Sequence, residues 1–236
     1  MPNPTAAMLV IGDEILSGRT RDANMHHLAE ELTKVGIDLR EVRVVSDDAP
    51  AIIAAVKALS DSYETVFTSG GIGPTHDDIT ADCIAAAFDD HIDVRDDARA
   101  LLQAHYDRSG MEMNEARLRM ARIPDSATLI DNPVSTAPGF IVQNVHVMAG
   151  VPSVFQAMVA SVLPTLNGGA PLLSETLRID RGEGEIAGPL GELATDFADL
   201  SIGSYPFQRD GMSGSNIVIR GTDTMQIEAV RKALLD

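Results

Sequence analysis

The chain has 236 residues, enough for one sizeable core with an appendage or for two small domains. Its 44% hydrophobic and 22% charged residues suit an ordinary globular protein, and no apolar run approaches the ~20 residues of a membrane span. The net charge of −17 argues against nucleic acid and anionic membranes as partners, and the single cysteine, Cys83, excludes an internal disulfide or a multi-cysteine zinc site.

The opening Met1-Pro2-Asn3-Pro4-Thr5 lacks the basic start of a signal peptide, so the cytoplasm is the expected compartment. Residues 6–11 form an unbroken apolar run, as in a parallel strand buried on both faces. Asp13 and Glu14 follow at its C-terminal end. A polar loop leads to a helix with Leu28, Leu32 and Val35 on one face, stopped by Gly36. Residues 41–45 read as the second strand. Asp47-Asp48 before Ala49-Pro50 marks a helix start, and Ile52, Val56 and Leu59 line that helix. The third strand, 65–68, ends in Ser69-Gly70-Gly71-Ile72-Gly73-Pro74-Thr75-His76-Asp77-Asp78-Ile79-Thr80, and an Ala-rich helix over 82–88 carries Cys83 at an apolar position. This alternation predicts a parallel α/β sheet, whose ligands sit beyond the C-terminal strand ends. Asp13-Glu14 and the glycine loop are therefore expected on one cleft.

Residues 96–113 read as a helix with Ala98, Leu101, Leu102 and His105 on one side, interrupted at Gly110. Asn114 caps a second helix reaching Arg122. A short strand at 128–130 precedes a Pro- and Gly-rich loop from Asn132 to Gly139, and 140–142 with 145–148 form a hairpin around Gln143-Asn144. Gly150-Val151-Pro152-Ser153 repeats the strand–glycine–helix design, with Ser153 as N-cap. Asn167 to Pro171 reads as a linker, dividing the chain into an α/β domain (1–168) and a small α+β subdomain (169–236). The subdomain is expected to hold strands at 175–179, 202–207 and 216–219 and helices at 185–200 and 225–235.

Three glycines in four positions between a strand and a helix let the backbone approach a ligand, and a helix start offers N–H groups to an anion. A P-loop needs a lysine that this loop lacks. A dinucleotide fingerprint needs glycine where His76 stands, and a nucleophile elbow needs it where Phe67 stands. What remains is a backbone-lined anion pocket beside Asp77 and Asp78. A bare carboxylate repels a neighbouring phosphate by ~4 kcal/mol at an effective dielectric of about 20. A divalent cation held by carboxylate oxygens reverses that sign, with Asp13 or Glu14 completing the shell. The plainer alternative is that Asp77 or Asp78 caps the helix.

These residues carry a family resemblance. Gly12-Asp13-Glu14-Ile15-Leu16-x-Gly18, Asn24, the run from Gly70 to Thr80, Asn132-Pro133-Val134-x-Thr136-Ala137-Pro138-Gly139 and Gly150-Val151-Pro152-Ser153 resemble, in order and spacing, the molybdopterin-binding (MoaB/MogA-like) domain. The similarity is closer still to the N-terminal half of competence/damage-inducible (CinA-like) proteins. It implies a three-layer α/β/α sandwich with a mostly parallel sheet. It also implies a nucleotide- or pterin-phosphate pocket drawn from Gly70, Gly71, Gly73, Pro74, Thr75, Thr80, Asn24, Asn132, Gly139, Gly150, Pro152 and Ser153.

CinA-like N-terminal domains are associated with hydrolysis of the pyrophosphate in ADP-ribose by a divalent metal (Mg, Mn or Co). Relatives fused to FAD synthases are linked to FAD hydrolysis, and the MogA branch adenylylates molybdopterin. Transferred by position, Asp78, Asp77 and Glu14 are the catalytic candidates, and Asp78, Asp77 and Asp13 the metal ligands. The expected activity is of the ADP-ribose pyrophosphatase type on a phosphate-containing small molecule. The alternatives are a non-catalytic molybdopterin- or nucleotide-binding module and a molybdopterin adenylyltransferase step. A homo-oligomer is expected. Ser135 stands where the family commonly has glycine.

Other residues have plainer readings. His26 and His27 open a helix and read as surface or cap residues, and His76 as either a hydrogen-bonding neighbour of the site or solvent-exposed. Arg117, Arg119 and Arg122 form a basic cluster, either a solvated face or a contact to a second phosphate. Tyr205, Pro206 and Phe207 read as core or interface.

Overall fold

The computed structural model describes residues 2–209 and 212–235. The chain divides into two units, Met1–Gly169 and Ala170–Asp236. In the first, β1 (Thr5–Ile11) is flanked by β2 (Asp38–Val45) and β3 (Thr65–Ser69), both parallel to it. Beyond β3 the sheet continues through the hairpin strands, named below in chain order.

Between β1 and β2 lie a one-turn helix α1 (Asp13–Leu16) and α2 (Asn24–Lys34); α3 (Ala49–Ser62) joins β2 to β3. After β3 come α4 (Thr80–Ala87), β4 (Ile92–Val94), α5 (Asp96–Ser109), α6 (Glu115–Leu118) and β5 (Arg122–Pro124). The unit closes with β6 (Thr128–Ile130), β7 (Gly139–Val142), β8 (Val145–Met148) and α7 (Pro152–Val162). The six-stranded order is β2-β1-β3-β8-β7-β6, with only β7 running against the others.

The period-two geometry of β1 builds two cores from one apolar run. Ala7, Leu9 and Ile11 pack with Ile52 and Leu59 of α3, Ile84 of α4 and Leu102 of α5. Ala6, Met8 and Val10 pack with Leu28 and Leu32 of α2 and Phe155 and Met158 of α7. The result is the three-layer α/β/α arrangement. Cys83 is buried in the first core, and burial first, then Asp82 and Asp48, pushes its thiol up to about 11.

Capping explains several boundaries. Asp48 caps α3 by accepting from Ala51 N at 3.1 Å, with Pro50 in the first turn. Gly110 ends α5 in the left-handed conformation (φ 68°). Asn114 caps α6, accepting from Arg117 N at 2.9 Å.

Elsewhere the structure corrects the sequence pattern. The α5 face in the core carries Ala98, Leu102 and Tyr106, while Leu101 is 44% exposed. The helix capped by Asn114 stops at Leu118, continues as a 3₁₀ turn over Arg119–Ala121, and gives way to β5 at Arg122. Ile123 precedes a proline, which disfavours helical geometry there, and β4 supplies an antiparallel partner. Strands β4 and β5 are absent from the sequence reading because each is only a triplet. Ser153 is not an N-cap: α7 begins at Pro152 behind Val151, with no side-chain cap.

The second unit holds β9 (Leu173–Ile179), α8 (Glu183–Asp196), β10 (Ser201–Arg209), β11 (Met212–Gly221) and α9 (Thr224–Leu235). Its sheet is antiparallel, ordered β10-β11-β9. Ile217 and Ile219 of β11 face Ile186 of α8 and Ile227 and Val230 of α9, giving this unit a small core of its own. Helix α8 starts two residues before the expected position and ends four residues earlier. Tyr205 is 49% exposed rather than core, and Phe207 lies under Arg178, whose guanidinium carbon is 4.5 Å from the ring centroid. No helix among the described residues is long and apolar enough to cross a membrane.

Candidate functional site

The C-terminal ends of β1, β3 and β8 open into one cleft of about 630 Å³. Its wall includes Gly12 and Glu14 after β1, Gly70 to Pro74 with Asp77 and Asp78 after β3, and Gly150 after β8. Asn132, Ser135 and Ala137 of the β6–β7 loop close another side.

The glycine turn is defined by its own backbone. Gly70 and Gly71 take φ values of 110° and 69°. A Cβ on Gly70 would stand 2.2 Å from the Ile11 carbonyl oxygen, and one on Gly71 would stand 2.1 Å from Thr80 Oγ1. Thr80 braces the turn from the start of α4: its Oγ1 donates to Gly70 O at 3.0 Å and its N–H to Gly71 O at 2.9 Å. Gly70 N–H is spent on Met148 O of β8. The N–H groups of Gly71, Ile72 and Gly73 donate to nothing among the described residues. Three successive donors on the cleft wall are thus unspent, the kind of backbone group that can serve an anion.

The carboxylates divide by role. Asp78 does not cap α4, whose N-cap is Ile79; its Oδ2 accepts from Thr75 N at 2.8 Å and from Thr75 Oγ1 at 2.6 Å. Thr75 is thereby a support for Asp78 and does not line the cleft. The same hydroxyl, followed by the backbone N–H of Asp77, holds the Asp77 carboxyl below its ordinary pKa. One hydroxyl has one proton, and the 2.6 Å contact gives Asp78 the stronger claim on it. Glu14 folds back so that its Oε2 would lie 2.5 Å from a Cβ on Gly12. Asp13, proposed as a ligand from sequence, is not on the cleft; its backbone N–H donates to Asp47 Oδ2 at 2.9 Å. Asp47 does line the cleft. The Asp47-Asp48 doublet held that signal, since one cap uses only one aspartate.

The remaining candidates sort into residues that line the cleft, residues that brace it, and residues away from it. Asn24 is 3% exposed and clamps two loops, donating from Nδ2 to Ser69 Oγ at 2.7 Å and to Gly150 O at 2.8 Å. Asn132 spends its side chain on its own loop: Oδ1 accepts from Val134 N and Ser135 N, while Nδ2 donates to Ser135 Oγ and Ala137 O. Gly139 is packing, since a Cβ there would stand 2.5 Å from Val147 O. Pro152 and Ser153 start α7 and do not line the cleft, whereas Gly150, Val151 and Val154 do. His76 is a solvent residue with a fully exposed side chain.

Beside the glycine turn a divalent ion would meet the carboxylate oxygens of Glu14, Asp77 and Asp78, the donor type that hard cations prefer. Among the described residues no three acidic, histidine or cysteine side chains converge as a preformed metal cage, so the expected shell of Asp13, Asp77 and Asp78 is not assembled. Magnesium is commonly bound by one or two carboxylates with substrate phosphates and water, and Asp78 with Asp77 fits that pattern.

Residues 7–168 match the family model described as a probable molybdopterin binding domain. The chain belongs to the molybdopterin-binding domain family. Residues 171–236 match a second model, the middle domain of FAD synthase. A probable FAD synthase of Caenorhabditis elegans is 34% identical over 98% of this chain, but this covers only 49% of that protein. The chain thus spans about half the length of that family member. A CinA-like protein of Citrifermentans bemidjiense is 37% identical over 69% of this chain and 40% of its own length. Among solved structures, CinA from Thermoplasma acidophilum, a protein of unknown function, superposes with a TM-score of 0.63 at 33% identity, covering 68% of this chain and 98% of that one. The molybdopterin-binding fold and the CinA-like kinship expected from the sequence are both met, and a nucleotide-related enzyme is the kind of protein these relatives make plausible.

Proposed function

We propose that this chain hydrolyses the diphosphate of a nucleoside-diphosphate-linked small molecule with the help of a divalent metal, ADP-ribose and FAD being the members of that class to assay first. The observation that carries the reading is the meeting on one cleft of three unspent backbone N–H groups with Glu14, Asp77 and Asp78. The names of the FAD-synthase relatives favour FAD within the class.

Bound Mg²⁺, Mn²⁺ or Co²⁺ would polarise a phosphoryl oxygen and cancel the repulsion between phosphate and carboxylates. In this reading Asp78 and Asp77 would hold the ion, and the N–H groups of residues 71–73 would receive the phosphoryl oxygens. Glu14 takes a proton from water as the water oxygen attacks one phosphorus. The P–O–P bond then breaks, and AMP leaves with a phosphorylated partner: ribose phosphate from ADP-ribose, or FMN from FAD.

The test is AMP release from each substrate with and without metal. Metal-dependent release that Asp78→Asn abolishes, at unchanged thermal midpoint, supports the reading; full activity in Asp78→Asn overturns the metal assignment. The description of the matched family as molybdopterin-binding favours a second reading, a pterin- or nucleotide-binding module. Tight pterin binding without nucleotide cleavage would select it, and ATP-dependent adenylylation of the pterin would select a transferase.

A further inference from the structure

A smaller cavity, about 20 Å³, adjoins the cleft and shares Gly71, Ile72, Gly73 and Asp78 with it. Its far wall carries Arg119 and Arg122, the basic cluster whose role the sequence left open. The two arginines differ. Arg122 is spent: its guanidinium lies 2.5 Å from Asp82 and 4.0 Å from Asp93. Arg119 pairs with no carboxylate among the described residues and reaches only the Asp78 carbonyl oxygen, at 3.5 Å. The cavity has room for about one water-sized group, which fits an oxygen and not a ring.

On the main cleft a second arginine also pairs with no carboxylate among the described residues. Arg19 lines it, and its guanidinium makes no ion pair or hydrogen bond among the described residues. Its backbone is held on both sides, since Gly18 N–H donates to Ile15 O at 3.1 Å and Thr20 N–H to Glu14 O at 2.9 Å. The two arginines line two adjoining cavities that share Gly71, Ile72 and Gly73, and they come from opposite layers of the sandwich. Arg19 lies on the approach to α2, and Arg119 is on the 3₁₀ turn whose Ala121 packs in the α3–α5 core.

We infer that Arg19 and Arg119 are the two cationic contacts of a diphosphate-selective site, one for each phosphoryl group of a ligand seated on the glycine turn. The inference rests on the reading of the cleft as a phosphate site and adds the source of positive charge. Net charge in this chain is −17 and the turn itself carries no lysine or arginine, so an anion needs local cations to settle beside Asp77 and Asp78. Arginine suits the task because its planar fork of donors matches phosphoryl oxygens and stays charged at any working pH. A ligand with one phosphoryl group can satisfy one arginine only, whereas a diphosphate can engage both.

The experiment is calorimetric titration of the whole chain with ADP, inorganic pyrophosphate, AMP and inorganic phosphate, with Mg²⁺ present throughout. Arg19→Ala and Arg119→Ala are each expected to weaken ADP and pyrophosphate by about tenfold or more, the loss of one charge-assisted contact. AMP and phosphate should weaken by a much smaller factor. Arg119→Lys should recover part of the loss, and Arg99→Ala, which removes the same charge from α5 away from both cavities, should change nothing. Equal weakening of mono- and diphosphates, no weakening, or no binding of ADP and pyrophosphate by the unaltered protein would overturn the inference. Binding is scored apart from turnover. Selective ADP binding without AMP release from FAD or ADP-ribose keeps the clamp and sinks the hydrolase. AMP release with ADP affinity indifferent to both arginines does the reverse.

Discussion

Two loops wall the same cleft by opposite means. The Gly70–Thr80 turn is shaped by backbone: two glycines in the left-handed region, with Thr80 bracing their carbonyls and the N–H groups of residues 71–73 left unspent. The Asn132–Ala137 loop is shaped by side chains. Asn132 makes four hydrogen bonds within it, and Thr136, a β-branched residue, is held at φ 65° with its Oγ1 3.0 Å from His105 Nδ1 on α5. A loop that must offer its own N–H groups to a ligand cannot use them to hold itself. A loop that only has to stand in place can spend every donor on rigidity.

Four changes would break or sharpen that contrast. Gly70→Ala should do the most damage, because its Cβ meets the Ile11 carbonyl, a backbone atom that cannot step aside, in a conformation alanine resists. A loss of about 3 kcal/mol or more in urea unfolding is expected, together with loss of ADP binding. Asn132→Ala should cost about 1–3 kcal/mol by stranding Val134 N, Ser135 N and Ala137 O, and it should weaken ligands only indirectly. Equal effects of the two variants on ADP binding would erase the distinction between the loops.

The third change is acid. His146 of β8 is 6% exposed and stacked on Phe67 of β3, and burial holds its pKa below the ordinary value. The unfolded chain then binds the proton first, so stability falls as pH drops through about 6.5 and until the folded pKa is passed. The thermal midpoint should fall less between pH 7.5 and 5.5 in His146→Leu than in the unaltered chain. The smallest effect is expected from Thr136→Gly. Relief of the strained φ and loss of the contact to His105 nearly offset, leaving a change under about 1 kcal/mol in urea unfolding. A larger loss would mean that the His105 contact, rather than Asn132, holds the second loop.

The contrast also explains what could be read in advance. The glycine turn was legible because backbone freedom is written in residue type, and so were the apolar strands, the helix start at Asp47-Asp48 and the cap at Asn114. Loops held by side chains were less so: Asn132 and Thr80 entered as ligand candidates, and the bracing hydrogen bonds that each makes were not foreseen. Strand β5 was hidden because its partner β4 lies some thirty positions earlier and neither triplet shows a period. Asp13 and Glu14 looked interchangeable until the single turn of α1 sent one to the cleft and left the other outside.

By itself, the sequence determined the family, the α/β order and the glycine turn, all of which depend on local patterns of size, polarity and backbone freedom. Only the tertiary structure decided which polar groups remain unspent at the cleft. Whether Arg19, Arg119, Asp47 or Glu14 is free to meet a ligand depends on what the rest of the fold has already claimed from its neighbours, and that is a property of distances, not of residue type.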